Sequence, residues 1–285
     1  MVNFGGLPTR ADLIPKYPAP VLIKSMTWQV AVLTVTVLLA VAVFGYAIKT
    51  WRSTGRSEMF WMALGALAAV FYEPLGDFMV DIAYHQSGAL TAISGFGGTI
   101  PLWTLFMYVV FWAPGILFLT RQLESGITLK RWMGMFAIAI PVTLLFEVAL
   151  LALGLYKYYG LQQPIQVFGY PLWMAFSNSA VIFIVSLLVH AAMKTALVRN
   201  SPAHLVLLVP SIIIGVGVVT VTPIGLGMSS TTSLVVINLC ALASAALSIT
   251  FVVIGYKLVM TPLDAAITEL AGKKDLPAAC NCSTN

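Results

Sequence analysis

Seven stretches of the chain, each about 20 residues long and nearly free of charge, decide what it can fold into. They run over 27–49, 58–80, 101–120, 132–155, 171–193, 204–221 and 233–257. A helix rising 1.5 Å per residue needs about 20 apolar residues to cross a hydrocarbon core of roughly 30 Å. It also satisfies its backbone hydrogen bonds internally, which lipid cannot do for it. Composition points the same way. Of the 285 residues 60% are hydrophobic and 9% charged, where a soluble domain has roughly 45–50% and about 25%. The reading is an all-α integral membrane bundle of seven transmembrane helices over 27–260. An interfacial arm over 1–26 precedes it, and a short helix with a polar tail over 261–285 follows. The first apolar run is too long for a signal-peptide core and reads as a retained helix.

The net charge of +5 does not indicate nucleic acid, because the cations flank apolar runs. One set of connections and ends carries Lys49, Arg52, Arg56, Arg121, Lys130, Arg131, Lys194, Arg199, Lys257, Lys273 and Lys274. The opposite set carries Arg10, Lys16, Lys24 and Lys157. The richer set is expected in the cytoplasm, which puts the amino terminus outside and the carboxyl terminus inside a cell membrane, most simply the plasma membrane. The three cations of the arm argue the other way. Cysteine carries no compartment signal: Cys240 lies in an apolar run, Cys280 and Cys282 in the polar tail. Thr261-Pro262-Leu263-Asp264 has the cap, first-turn proline and early acid that open a helix.

Acids inside the apolar runs are the informative residues. Glu73, Asp77 and Asp81 lie in or at the end of the second run, and Glu147 lies in the fourth. An Asp at the bilayer centre costs about 2.5–3.5 kcal/mol on insertion scales, so such groups face the bundle interior and are candidate functional residues. Glu73, Asp77 and Asp81 recur every four residues, and His85 continues the series, so they share one helix face. Three carboxylates on one stripe cannot all stay ionised cheaply; either protons or cations must sit among them. Pro74 removes a backbone donor beside Glu73 and predicts a local kink.

Depth decides whether these groups meet. Glu73 and Glu147 each stand about 22 Å above the start of their helices, at 1.5 Å per residue. Asn178 and Asn238, descending in the fifth and seventh helices, reach a similar level. We therefore expect Glu73, Glu147, Asn178 and Asn238 to face one cavity in the outer half of the bundle, with Asp77 one turn from Glu73. Tyr156, Tyr158 and Tyr159, followed by Trp173, form either an interfacial aromatic belt or a lid over that cavity. Carboxyls that merely pair with amides and phenols to hold helices together are the structural alternative.

Several seven-helix families fail on inspection. The last run has no central lysine for a retinal Schiff base, and no G-protein-coupled receptor motif is visible. A Mg²⁺-diphosphate site would need a second acidic cluster, which is missing. The residues Phe71-Tyr72-Glu73-Pro74, Glu147, the run Gly154-Leu155-Tyr156-Lys157-Tyr158-Tyr159-Gly160 and Pro171-Leu172-Trp173 resemble those of small membrane-bound terpene and carotenoid cyclases and hydratases. The resemblance covers about a third of the chain. It implies protonation of an alkene or epoxide of a lipophilic isoprenoid by a buried carboxyl, without metal or other cofactor. Glu73 and Glu147 would be the acid and its partner and Asp77 an auxiliary; Tyr72, Tyr156, Trp173, Asn178 and Asn238 would contact substrate. The rival reading is a small proton- or cation-coupled transporter, with Pro74, Pro114 and Pro223 as helix breaks, or a structural membrane subunit.

Overall fold

In a computed structural model the chain is described over residues 26–84, 89–159, 163–230 and 233–261. The expected arm, the helix after Thr261, Cys280 and Cys282, His85 and Gly160 lie outside the described residues. Seven helices are long and apolar enough to span a bilayer: α1 Met26–Thr54, α2 Glu58–Val80, α3 Leu102–Glu124, α4 Leu129–Ala152, α5 Leu172–Met193, α6 Pro202–Ser230 and α7 Leu234–Met260. The chain is thus a helical membrane protein.

Helix α5 is the axis of the bundle and packs against α3, α4, α6 and α7. Its small residues permit this. Ala175, Ser177, Ser179 and Ala180 are all buried, so neighbouring backbones approach closely. Ser177 shares a hydrogen bond with Thr220 of α6 at 2.6 Å, and Ser179 with Thr143 of α4 at 3.2 Å. The α2–α6 crossing is tighter still. A Cβ added at Gly65 would lie 2.8 Å from the carbonyl oxygen of Leu205. Helix α1 leans on α3, where Trp103 Nε1 donates to Gln29 Oε1 at 3.1 Å.

The prolines act differently from one another. Pro74 has no N–H, and its ring would strike the carbonyl of Val70 in a regular helix. The turn Val70–Tyr72 accordingly tightens to a 3₁₀ conformation in which Glu73 N–H donates to Val70 O. Pro114 and Pro223, in contrast, do not end α3 and α6. Helix α6 runs nine residues past the expected end at Val221, to Ser230. Its neighbour supports it: Ser244 Oγ of α7 accepts the Ile224 N–H at 3.2 Å.

Chain alternation gathers Arg52, Arg56, Arg121, Lys130, Arg131, Lys194, Arg199 and Lys257 at one end of the bundle. There Arg56 bridges Glu58 at 3.5 Å and Glu124 at 3.4 Å. The opposite end carries structure that the all-α expectation omitted. Three two-stranded antiparallel ribbons cap it: β1 Ile82–Tyr84 with β4 Tyr156–Tyr158, β2 Thr91–Gly95 with β3 Gly98–Pro101, and β5 Gln166–Val167 with β6 Tyr170–Pro171. Each of the two hairpins turns through a Phe-Gly pair with both residues at positive φ, Phe96–Gly97 and Phe168–Gly169. Two successive positive φ values match the right-handed twist of the paired strands.

A carboxyl-lined cavity at the ribbon end

Beneath the ribbons lies a cavity of about 160 Å³. Its walls come from the second half of α2, the first half of α3, the end of α4, the start of α5, the middle of α6, and strands β1 and β4. Glu73 and Asp77 enter from α2, four residues apart and so on one face, and Glu147 enters from α4. Tyr72, the last residue of the 3₁₀ turn before Pro74, also lines the space.

Both glutamates are held by phenols. Tyr84 Oη of β1 donates to Glu73 Oε1 at 2.6 Å, and Tyr108 Oη of α3 donates to Glu73 Oε2. Tyr156 Oη of β4 donates to Glu147 Oε2, while Asn178 Nδ2 of α5 donates to Glu147 Oε1 at 3.3 Å. Asn178 Nδ2 also reaches Tyr170 Oη at 3.3 Å. The β1–β4 ladder sets this up. It pairs Tyr84 with Tyr156 across the ribbon, which brings the two phenols to adjacent rings 5.6 Å apart and points one at each glutamate. Burial pushes the Tyr84, Tyr156, Tyr158 and Tyr170 phenols well above the usual tyrosine range, and the neighbouring acids add to it, so these hydroxyls keep their protons, and Tyr84 and Tyr156 act as donors to the glutamates.

Asp77 differs. It is 6% exposed, and its Oδ2 has no hydrogen-bond partner. A buried carboxylate oxygen without a donor is costly, whereas a carboxylic acid there has a hydroxyl to give. Among the described residues no lysine, arginine or histidine stands on the cavity wall. The charge of three carboxyls must therefore be compensated by bound protons or a bound cation. Among the described residues no group of three or more His, Cys, Asp and Glu is placed to hold a metal ion. Elsewhere the wall is largely apolar, with aromatic faces from Trp103, Phe111, Trp112, Phe146 and Tyr158 among aliphatic side chains.

Glu73, Asp77, Glu147, Tyr72, Tyr156 and Asn178 thus share one cavity. Asn238 does not join them. Its Nδ2 donates to Leu234 O in its own helix at 2.7 Å, because α7 faces the bundle through Ile237, Ala241 and Ser244 instead. Helix α7 lines no part of the cavity. Trp173 is likewise outside the wall, packed with Val80, Tyr170 and Ile224, its Nε1 without a partner. Asp81 ends α2 in the left-handed conformation at φ 58°, and its carbonyl accepts the Tyr159 N–H at 2.8 Å. Burial pushes its carboxyl up to about 7. It caps the helix and does not line the cavity.

Tyr84 and Tyr108 are the residues that sequence reasoning missed. A signal for Tyr108 existed. A phenol mid-span in an apolar helix must find a partner in lipid, and Tyr108 lies at the depth of Glu73. Nothing comparable marked Tyr84, whose position depends on pairing with a strand 72 residues away. Comparison of the chain with protein-family models, with curated proteins and with solved structures finds no match.

Proposed function

We propose that this chain is an integral membrane enzyme that protonates a lipophilic, isoprenoid-type substrate in a cyclisation or hydration-like reaction. One observation carries the reading: the unpartnered carboxyl oxygen of Asp77 in a cavity with an apolar, aromatic-rich wall that holds three acids and, among the described residues, no basic side chain. The resemblance in sequence assigned the acid to Glu73 or Glu147. The hydrogen bonds favour Asp77 as donor, because both oxygens of each glutamate already accept from phenol or amide. The proton passes from Asp77 Oδ2 to an alkene carbon, the π pair forming the new C–H bond. The cation left on the adjacent carbon is covered by the aromatic faces and by the glutamate charge. A second alkene or a water closes it, and the proton released returns to a cavity carboxyl. The organic transformation needs no oxidant or reductant.

In the same reading the basic end faces the cytoplasm and the ribbon end the exterior of a plasma membrane. A proton- or cation-coupled transporter is the second reading, favoured by the same uncompensated carboxyls. The test screens candidate isoprenoids on membranes containing the parent protein. Asp77→Asn keeps size but cannot deliver a carboxyl proton, and turnover should fall about 10²–10⁴-fold. Full-rate turnover by Asp77→Asn and by the Glu73→Gln/Glu147→Gln double variant would remove acid catalysis here. Loss of a proton-coupled flux in those variants, with no turnover in the parent, would install the transporter reading.

A further inference from the structure

We infer that the ligand reaches the cavity sideways from the bilayer, through the seam between α3 and α4, and that only its reactive end is enclosed while the rest stays in lipid. The ligand class rests on the function proposed above; the route rests on the geometry of the seam.

Volume sets the first constraint. A dry cavity of about 150 Å³ accommodates one benzene. The cavity here, about 160 Å³, has room for one isoprene-sized end and not for a folded chain of several such units. A long substrate must therefore project out of it, which requires an opening wide enough for a chain and apolar along its length.

The α3–α4 seam meets that description. Its cavity side is formed by Met107 and Phe111 of α3 and by Phe146 and Leu150 of α4, each pair four residues apart and so on one face. Phe111 and Phe146 stack across the seam with centroids 5.9 Å apart. Among the described residues no hydrogen bond or ion pair joins the two helices, so the rings close the seam by contact alone. Helix α4 is fastened instead to α5. Toward the basic end the same faces open onto lipid. Phe118, two turns along α3 from Phe111, is 54% exposed, and Val142, one turn along α4 from Phe146, is 58% exposed.

Both framing helices also carry an interior proline beside the ring pair, Pro114 in α3 and Pro141 in α4. Each deletes one backbone hydrogen bond, to Val110 and to Ala137, and lowers the resistance of its helix to bending there. Separation of the rings then costs dispersion contact and no hydrogen bond. The polar alternative, entry from water past β1–β4, would have to break the ladder and the Tyr159 N–H to Asp81 O bond.

Carbodiimide labelling tests the route without requiring turnover. The apolar N,N′-dicyclohexylcarbodiimide partitions into lipid and adds a carboxylic acid across its C=N bond, rearranging to a stable N-acylurea; a cationic, water-soluble carbodiimide stays outside. Protein in liposomes is treated with each, and adducts at Glu73, Asp77 and Glu147 are read by mass spectrometry. A variant with Cys240, Cys280 and Cys282 changed to alanine and carrying Phe111→Cys and Phe146→Cys is labelled before and after bridging with a short bismaleimide. The apolar reagent should label and the water-soluble one should not. Bridging should slow labelling at least about tenfold, the effect of raising the opening barrier by ~1.4 kcal/mol. Equal labelling before and after bridging, faster labelling by the water-soluble reagent, or no adduct from either reagent would each overturn the seam route. Labelling through the seam in a protein that turns over no isoprenoid would keep the route and remove the enzymatic reading.

Discussion

Removing one hydroxyl at Tyr156 isolates the interaction that holds Glu147. Tyr156→Phe keeps the ring, which is 5% exposed and packs 5.6 Å from Tyr84 and 6.1 Å from Tyr158. Only the donor to Glu147 Oε2 is lost, leaving that carboxyl with the 3.3 Å bond from Asn178. A hydrogen bond to a charged group contributes about 1.5–3 kcal/mol, and one between neutral groups about 0.5–1.5. The variant should lose roughly 2 kcal/mol of unfolding stability if Glu147 is a carboxylate and about 1 if it is an acid. The assay is a double-mutant cycle with Glu147→Leu, which cannot accept the phenol's hydrogen bond, read by denaturant unfolding in detergent micelles. Tyr156→Ala would add the cost of an emptied aromatic site, about 3–5 kcal/mol, and so cannot separate the two effects. A coupling energy below about 0.3 kcal/mol, the level at which independent sites simply add, would refute the phenol–carboxyl pair and the charge argument built on it.

Three further expectations follow from the fold. Burial raises Asp81 from 3.8 to about 7, so the folded state holds its proton more tightly than the unfolded chain. Stability should therefore decline as pH rises from about 4 to about 7, by at most roughly 4 kcal/mol at 1.36 per unit. Asp81→Asn suits the left-handed backbone and should flatten that decline; an unchanged pH profile of thermal unfolding counts against it. Gly65→Ala should destabilise by about 1–3 kcal/mol, because the added Cβ would sit 2.8 Å from Leu205 O at the α2–α6 crossing; unchanged thermal stability would mean the helices are not so close. In a cysteine-free background, Ser125→Cys at the basic end should react with an impermeant maleimide only in inverted vesicles and Phe168→Cys, at the other end, only in whole cells; the reverse pattern would invert the orientation.

Sequence alone determined the solvent, the number of spans and the acids that lie within them. Long uncharged runs have only one stable state in lipid, and that logic is local. The four-residue spacing of Glu73 and Asp77, and the kink at Pro74, are also local, since a helix fixes which residues share a face. Tertiary structure decided the rest. Depth along a helix was legible, but rotation about its axis was not. Asn238 reached a plausible level and then turned to its own Leu234, because the packing of Ile237, Ala241 and Ser244 sets the inward face of α7. Whether Pro223 breaks its helix depended on a neighbour, Ser244, that supports the backbone beside it. The ribbons escaped notice for a related reason. Strands of two to five residues carry too little periodicity to be read, and β1 finds its partner only once the packed bundle brings the chain after α2 and the chain after α4 together. That pairing turns Tyr84 and Tyr156 toward the two glutamates, so the polar clamp of the cavity is a property of the packed bundle and not of any one segment.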